Sequence, residues 1–109
     1  MASEPSLSIK KRASALAREL SQLVPDLKTE LRPVASVSGS GSLPRVELPS
    51  WAVAFIHPEV EAAEMQRSLR GATPPVIARI ASDVLLLDLR TVEVTEELNV
   101  KAAAVGLFT

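Results

Sequence analysis

The chain has 109 residues, 47% of them hydrophobic and 23% charged, with a mean hydropathy of +0.21. This composition fits one folded domain, excludes a disordered chain, and is small for a complete enzyme. Twelve Lys and Arg stand against thirteen Asp and Glu, so no overall basic field captures nucleic acid, and any such contact has to be local. Cysteine is absent and His57 is the only histidine, which removes disulfides, thiol nucleophiles and the usual zinc ligand sets. No metal site is expected. No apolar run approaches the roughly 20 residues that span a bilayer. The opening Met1 to Pro5 lacks a signal-peptide pattern, so a cytoplasmic protein is expected.

From Ser6 to Val24, Ile9, Ala13, Leu16, Leu20 and Leu23 recur at steps of four and three, the spacing of one apolar helical stripe. Ser6 or Ser8 is the expected cap, and Pro25 stops the helix. Leu27 to Val37 alternates imperfectly and predicts a strand with an irregularity or an edge at Pro33. Ser38 to Pro44, with Gly39, Ser40, Gly41 and Ser42, reads as a loop. Pro49 to Ile56 predicts a strand with Trp51, Val53 and Phe55 on one face and Ala52, Ala54 and Ile56 on the other; both faces are apolar, as in a central strand.

A helix is expected over Glu59 to Arg70, with Pro58 in its first turn, Val60, Ala63 and Leu69 facing inward, and Gly71 as its stop. Pro74-Pro75 then leads into strands over Val76 to Ala81 and Val84 to Val92, joined by a two-residue turn at Ser82-Asp83. In that register Val76, Ala78, Ile80, Leu85, Leu87 and Leu89 share an apolar face, while Arg79 and Asp88 lie on the other, close enough to pair. Thr95 is the expected cap of a last helix over Glu96 to Gly106, with Leu98, Ala102 and Val105 on one side. The order α-β-β-α-β-β-α predicts an α+β domain, a small and mainly antiparallel sheet with helices on one face.

Few residues can carry covalent chemistry. Lys10, Lys11, Lys28 and Lys101 all fall on predicted polar faces or strand starts, where a solvated charge is expected rather than a buried amine. The Gly-Ser loop presents backbone N–H groups and hydroxyls that suit an anion, but it lacks the following helix of a phosphate-binding motif and reads by default as a plain flexible connection. Arg79 and Arg90 are unusual on such apolar strands. They fit either a surface pair with Asp88, worth about 0–1 kcal/mol, or a guanidinium held for an anion. His57 before Pro58 reads as a turn residue, and Trp51 as a core or interface anchor.

Gly39-Ser40-Gly41-Ser42-Leu43-Pro44, Leu48-Pro49-Ser50, Pro74-Pro75-Val76-Ile77-Ala78-Arg79-Ile80 and Leu85-Leu86-Leu87-Asp88-Leu89-Arg90-Thr91-Val92 follow one another in order. Together they resemble the C-terminal part of the bacterial selenocysteine synthases, the L-seryl-tRNA(Sec) selenium transferases. The likeness runs from about Ile9 to Val92, and departs from the family at Asp83, where glycine is usual, and at Arg45, where a small residue is common.

The resemblance implies a pyridoxal-phosphate enzyme of the aspartate-aminotransferase fold type and a homo-oligomer. Its implied reaction converts seryl-tRNA(Sec) to selenocysteinyl-tRNA(Sec), by elimination and then addition with selenophosphate as donor. It also implies that the cofactor lysine lies in a large N-terminal domain, so that this chain carries no catalytic residue, binds no cofactor itself and is inactive alone. Residues 1–25 would then lead from the large domain into a small C-terminal domain over residues 26–109. Arg79, with Ser40 and Ser42 of the loop, would meet a substrate anion, and Asp88 and Arg90 would act as structural partners. Two alternatives stay open: the small domain of a related pyridoxal-phosphate lyase, and a non-catalytic interaction module.

Overall fold

The computed structural model describes residues 5–38 and 46–108. Its elements are α1 (Ser6–Leu23), β1 (Lys28–Ser38), β2 (Val46–Ile56), α2 (Ala62–Arg70), β3 (Arg79–Ala81), β4 (Val84–Asp88) and α3 (Glu97–Phe108), with 3-10 turns at Leu89–Thr91 and Val94–Glu96. The strands form one antiparallel sheet in the order β1-β2-β4-β3. This is the expected α+β order, with β2 central. Pro33 lies on the edge strand β1, opposite Trp51 in an unbroken register, so the edge reading holds and no irregularity accompanies it.

Ile9, Ala13, Leu16 and Leu20 of α1 are fully buried. They lie against Val53 and Phe55 of β2 and Leu85 and Leu87 of β4 within one apolar core. Leu23 is exposed and Ala17 is buried in its place, because the helix turns its last apolar residue past the sheet. Pro5 rather than Ser6 or Ser8 occupies the cap position of α1. At the other end Thr29 donates to the Ala17 carbonyl at 3.1 Å and shares a 2.8 Å hydrogen bond with Ser21, fastening the helix to the start of β1. α1 therefore shares its core with the rest of the described chain.

α2 begins at Ala62, three residues later than expected, with Glu61 at the cap. Before it, His57 folds back on its own backbone: its Nδ1 accepts from the Glu59 N–H at 3.1 Å, as a turn residue would. The inward residues of α2 are Met65 and Leu69, while Ala63 is exposed and Val60 packs from outside the helix.

The predicted turn is present, with Ser82 and Asp83 at φ 52° and 64°, and Ile80 pairs with Leu85. Both flanking strands are shorter than expected. Upstream, the Val76 N–H donates to the Leu69 carbonyl at 2.8 Å and Gln66 Nε2 donates to the Ala78 carbonyl at 2.9 Å, so α2 takes the hydrogen bonds a longer β3 would need. Downstream, the Asp88 carboxylate accepts from the Arg90 N–H at 3.0 Å and Thr91 Oγ1 donates to the Asp88 carbonyl at 2.8 Å, which turns the chain into a 3-10 conformation and ends β4. Of the six residues assigned to one apolar face, five are in the core and Ile80 is exposed at the edge.

A capping box stands one turn before α3, at the 3-10 turn Val94–Glu96, where the Glu93 N–H donates to Glu96 Oε1 at 2.9 Å, and Thr95 lies inside that turn. The buried residues of α3 are Val100 and Ala104, whereas Leu98 is 71% exposed. The helix is apolar nearly all round, so sequence spacing did not select the inward side. Arg12 Nε donates to Glu97 Oε2 at 2.7 Å, Lys101 pairs with Glu19 at 3.2 Å, and Phe108 stacks on His57 at 4.8 Å. These contacts hold α3 against α1 and the end of β2.

Candidate functional site

The sheet face turned away from the helices carries the charged residues singled out in the sequence. Side chains alternate along strands, and the register therefore places Glu30, Arg32, Ser50, Ala52, Ala54, Leu86, Asp88 and Arg79 on this one face. Ala52, Ala54 and Leu86 form a second, smaller apolar cluster with Val34 and Val84, to which no described helical residue contributes.

Arg79 and Asp88 share this face but do not pair. The Asp88 carboxylate is buried, accepts from Ser50 Oγ at 2.5 Å and also caps the Arg90 N–H. Arg79, on edge strand β3, reaches the opposite edge of the sheet, where its Nη2 donates to the Ala35 carbonyl of β1 at 3.3 Å. Arg90 Nη2 donates to the Pro49 carbonyl at 2.5 Å. Ala35 and Pro49 are register partners, so the two arginines hold the two strands of one hairpin at the same level.

The prolines explain why carbonyls are available there. Proline has no N–H, and an unbroken ladder through Pro33 and Pro49 requires their ring nitrogens to point away from the partner strand. The Pro49 carbonyl points the same way, toward ground that β4 has already left, and Arg90 supplies the missing donor. Ser40 and Ser42 lie outside the described residues, as do the rest of residues 39–45, including Arg45, and with them most of the expected loop over Ser38 to Pro44. The structure thus brings Arg79, Asp88 and Arg90 to the base of one hairpin.

The roles of Ala35, Pro49 and Ser50 were missed in the sequence. The lone acid within Leu85-Leu86-Leu87-Asp88-Leu89 reads in the sequence as half of a surface pair with Arg79; it is buried instead, and its partner Ser50 becomes visible only once β2 is aligned with β4.

Of the titratable groups, Glu30 departs clearly from its ordinary behaviour. The hydrogen bond from Arg32 first, and then Lys28, hold its carboxyl below the usual value.

Two clefts open elsewhere on the surface. One of about 220 Å³ lies among Pro74, Ile77, Thr91, Glu96 and Asn99. The other, about 530 Å³, runs past His57, Glu61, Met65 and Asp83. Pyridoxal phosphate needs an amine that reaches into a cavity. Lys28 pairs with Glu30 at 3.3 Å, Lys101 with Glu19, Lys10 lies 4.6 Å over the Trp51 ring, and Lys11 is exposed on α1. No lysine lines either cleft. The described residues of this chain do not fit that cofactor, and no group of three or more metal-ligating side chains occurs among them. No described helix is long and apolar enough to cross a membrane.

The chain is 37% identical over 92 residues to the L-seryl-tRNA(Sec) selenium transferase of Aquifex aeolicus, an alignment that covers 84% of this chain and 20% of that protein. The protein of the same name from Moorella thermoacetica is 42% identical over 80 residues, covering 69% and 17%. That from Desulfotalea psychrophila is 38% identical over 85 residues, covering 76% and 18%. The chain spans about a fifth of the length of these relatives. A family model described as L-seryl-tRNA selenium transferase matches residues 1–93. That span takes in the sheet, α1, α2 and every residue of the hairpin base, so the chain belongs to the L-seryl-tRNA selenium transferase family.

Proposed function

We propose that this chain is the small C-terminal domain of an L-seryl-tRNA(Sec) selenium transferase, which converts seryl-tRNA(Sec) to selenocysteinyl-tRNA(Sec) with selenophosphate as donor. The family match over residues 1–93 carries the reading. In it, pyridoxal phosphate is held by a large N-terminal domain and supplies the electron sink there, the active assembly is a homo-oligomer in the cytoplasm, and this chain alone is inactive. The poor fit of all four lysines to a cofactor amine supports that division of labour.

In the same reading, the helix of residues 1–25 enters from the large domain and the body over residues 26–109 packs beside it. Ile77, Val94 and Leu98 are 60%, 66% and 71% exposed, which suits surface that a further domain covers. Arg79 is exposed and has N–H groups beyond the one on Ala35. It is the residue through which this domain would meet a substrate anion, and Ser40 and Ser42 are the further contacts that the family resemblance implies.

The test is a chimera in which this chain replaces the matching fifth of the Aquifex aeolicus enzyme. Transfer of radiolabelled selenium to seryl-tRNA(Sec) is expected, with Arg79→Ala raising KM for selenophosphate. A well-folded chimera that binds cofactor but transfers no selenium would overturn the reading.

A further inference from the structure

The near-zero net charge conceals a segregation along the chain. Residues 1–45 hold seven Lys or Arg against four Asp or Glu, and residues 46–109 hold five against nine. Much of the excess positive charge lies on the outer side of α1. At 100° per residue, Lys10, Arg18 and Lys11 fall within an arc of about 100°, with Ser14 between Lys10 and Arg18. All three cations are exposed.

The one acid described on this helix, Glu19, projects about 80° beyond the arc and is taken up by Lys101 of α3. Among the described residues neither Lys11 nor Arg18 meets a carboxylate. Lys10 stands over the half-buried Trp51 ring, which fixes one ammonium at the margin of the strip. The ring's face attracts the cation without neutralising it. Lys11 and Arg18 are two helical turns apart, about 10.5 Å along the axis, so a single small anion does not bridge both. The strip instead matches a partner with negative charges repeated along a chain.

We propose that the Lys10–Lys11–Arg18 strip of α1 is a contact for the phosphodiester backbone of RNA, the tRNA substrate in the functional reading on which this inference rests. The contact is electrostatic and positions the RNA without reading its bases. It needs no strongly basic protein, because the acids of residues 46–109 are confined to other elements. It also gives α1 a role besides filling the core with its opposite side.

The experiment compares Lys11→Gln/Arg18→Gln with Arg67→Gln/Arg70→Gln, which removes the same charge from α2. Circular dichroism confirms that both variants fold, and binding of a labelled tRNA transcript to the chain is followed across a salt series. The α1 variant is expected to bind about tenfold more weakly at low salt and to lose roughly 1.4 to 1.8 from the slope of log affinity against log salt, whereas the α2 variant keeps the parent slope. Equal losses in both variants, an unchanged slope in the α1 variant, or retention of anionic lipid vesicles in place of tRNA would each overturn the proposal.

The chimera separates this inference from the functional reading. There the α1 variant should raise KM for seryl-tRNA about tenfold, with kcat kept. An active chimera with unchanged KM sinks the strip alone. A chimera that binds tRNA through the strip but transfers no selenium sinks the assigned activity alone.

Discussion

The two faces of the sheet are built by different physics. The face under the helices is closed by apolar side chains at essentially zero exposure, from Ile9 and Leu16 of α1 to Val53, Phe55, Leu85 and Leu87 of the strands. Burial there is non-directional, and its strength scales with the apolar area removed from water. The opposite face buries little more than Ala52, Ala54 and Leu86, and holds its elements together through Ser50–Asp88, Arg90–Pro49 and Arg79–Ala35. Those ties are directional and each depends on one geometry. The helix face sets how stable the domain is, and the open face sets how the long β1–β2 hairpin is held.

The largest expected effect falls on the helix face. Leu87→Ala removes a fully buried side chain from the centre of β4, and should cost about 3 kcal/mol, read as a lowered urea midpoint with unchanged slope. A cost below about 1 kcal/mol would mean that this face is loosely packed and would erase the contrast. Asp88→Ala on the open face should cost less, about 2 kcal/mol, because it leaves the Ser50 hydroxyl and the Arg90 N–H without their acceptor. The contrast sharpens if Asp88→Ala frees the amides of β2 near Ser50 for hydrogen exchange while those near Phe55 stay protected. Uniform loss of protection would show that the two faces open together.

The same difference explains what was legible in the sequence. A spacing rule reads non-directional burial well: Ile9, Ala13, Leu16 and Leu20 were recognisable from their intervals, and β2 from its two apolar faces. The Ser82-Asp83 turn was legible because few residue pairs tolerate positive φ. Where a helix is apolar on several sides, as α3 is, the spacing fits more than one orientation, and Val100 and Ala104 face the core instead of Leu98 and Ala102. In α2, Met65 and Leu69 lie one turn apart and share the inward side, whereas Ala63 stands about 120° from Leu69 around the helix and is exposed.

The hairpin base was beyond a local reading, since its ties join residues 38, 41 and 44 positions apart. Pairing Arg79 with Asp88 followed from the β3–β4 register alone. Once β2 lies beside β4, Ser50 claims the acid, and Arg79 is left to reach β1.

The smallest effect belongs to the rim of the open face, where Glu30 sits between Lys28 and Arg32. Folding lowers its pKa beneath the ordinary value of 4.5, mainly through the hydrogen bond from Arg32. A carboxyl whose folded pKa is depressed adds stability above its unfolded pKa, and that increment disappears as pH falls through the folded value. Glu30→Gln should therefore lower the urea midpoint slightly at neutral pH and not at all well below the carboxylate range. Salt should shrink the neutral-pH difference, because charges this exposed are screened. If the variant differs from the parent equally at both pH values, the effect does not come from the ionised carboxylate, and the rim loses its place among the electrostatic ties of the open face.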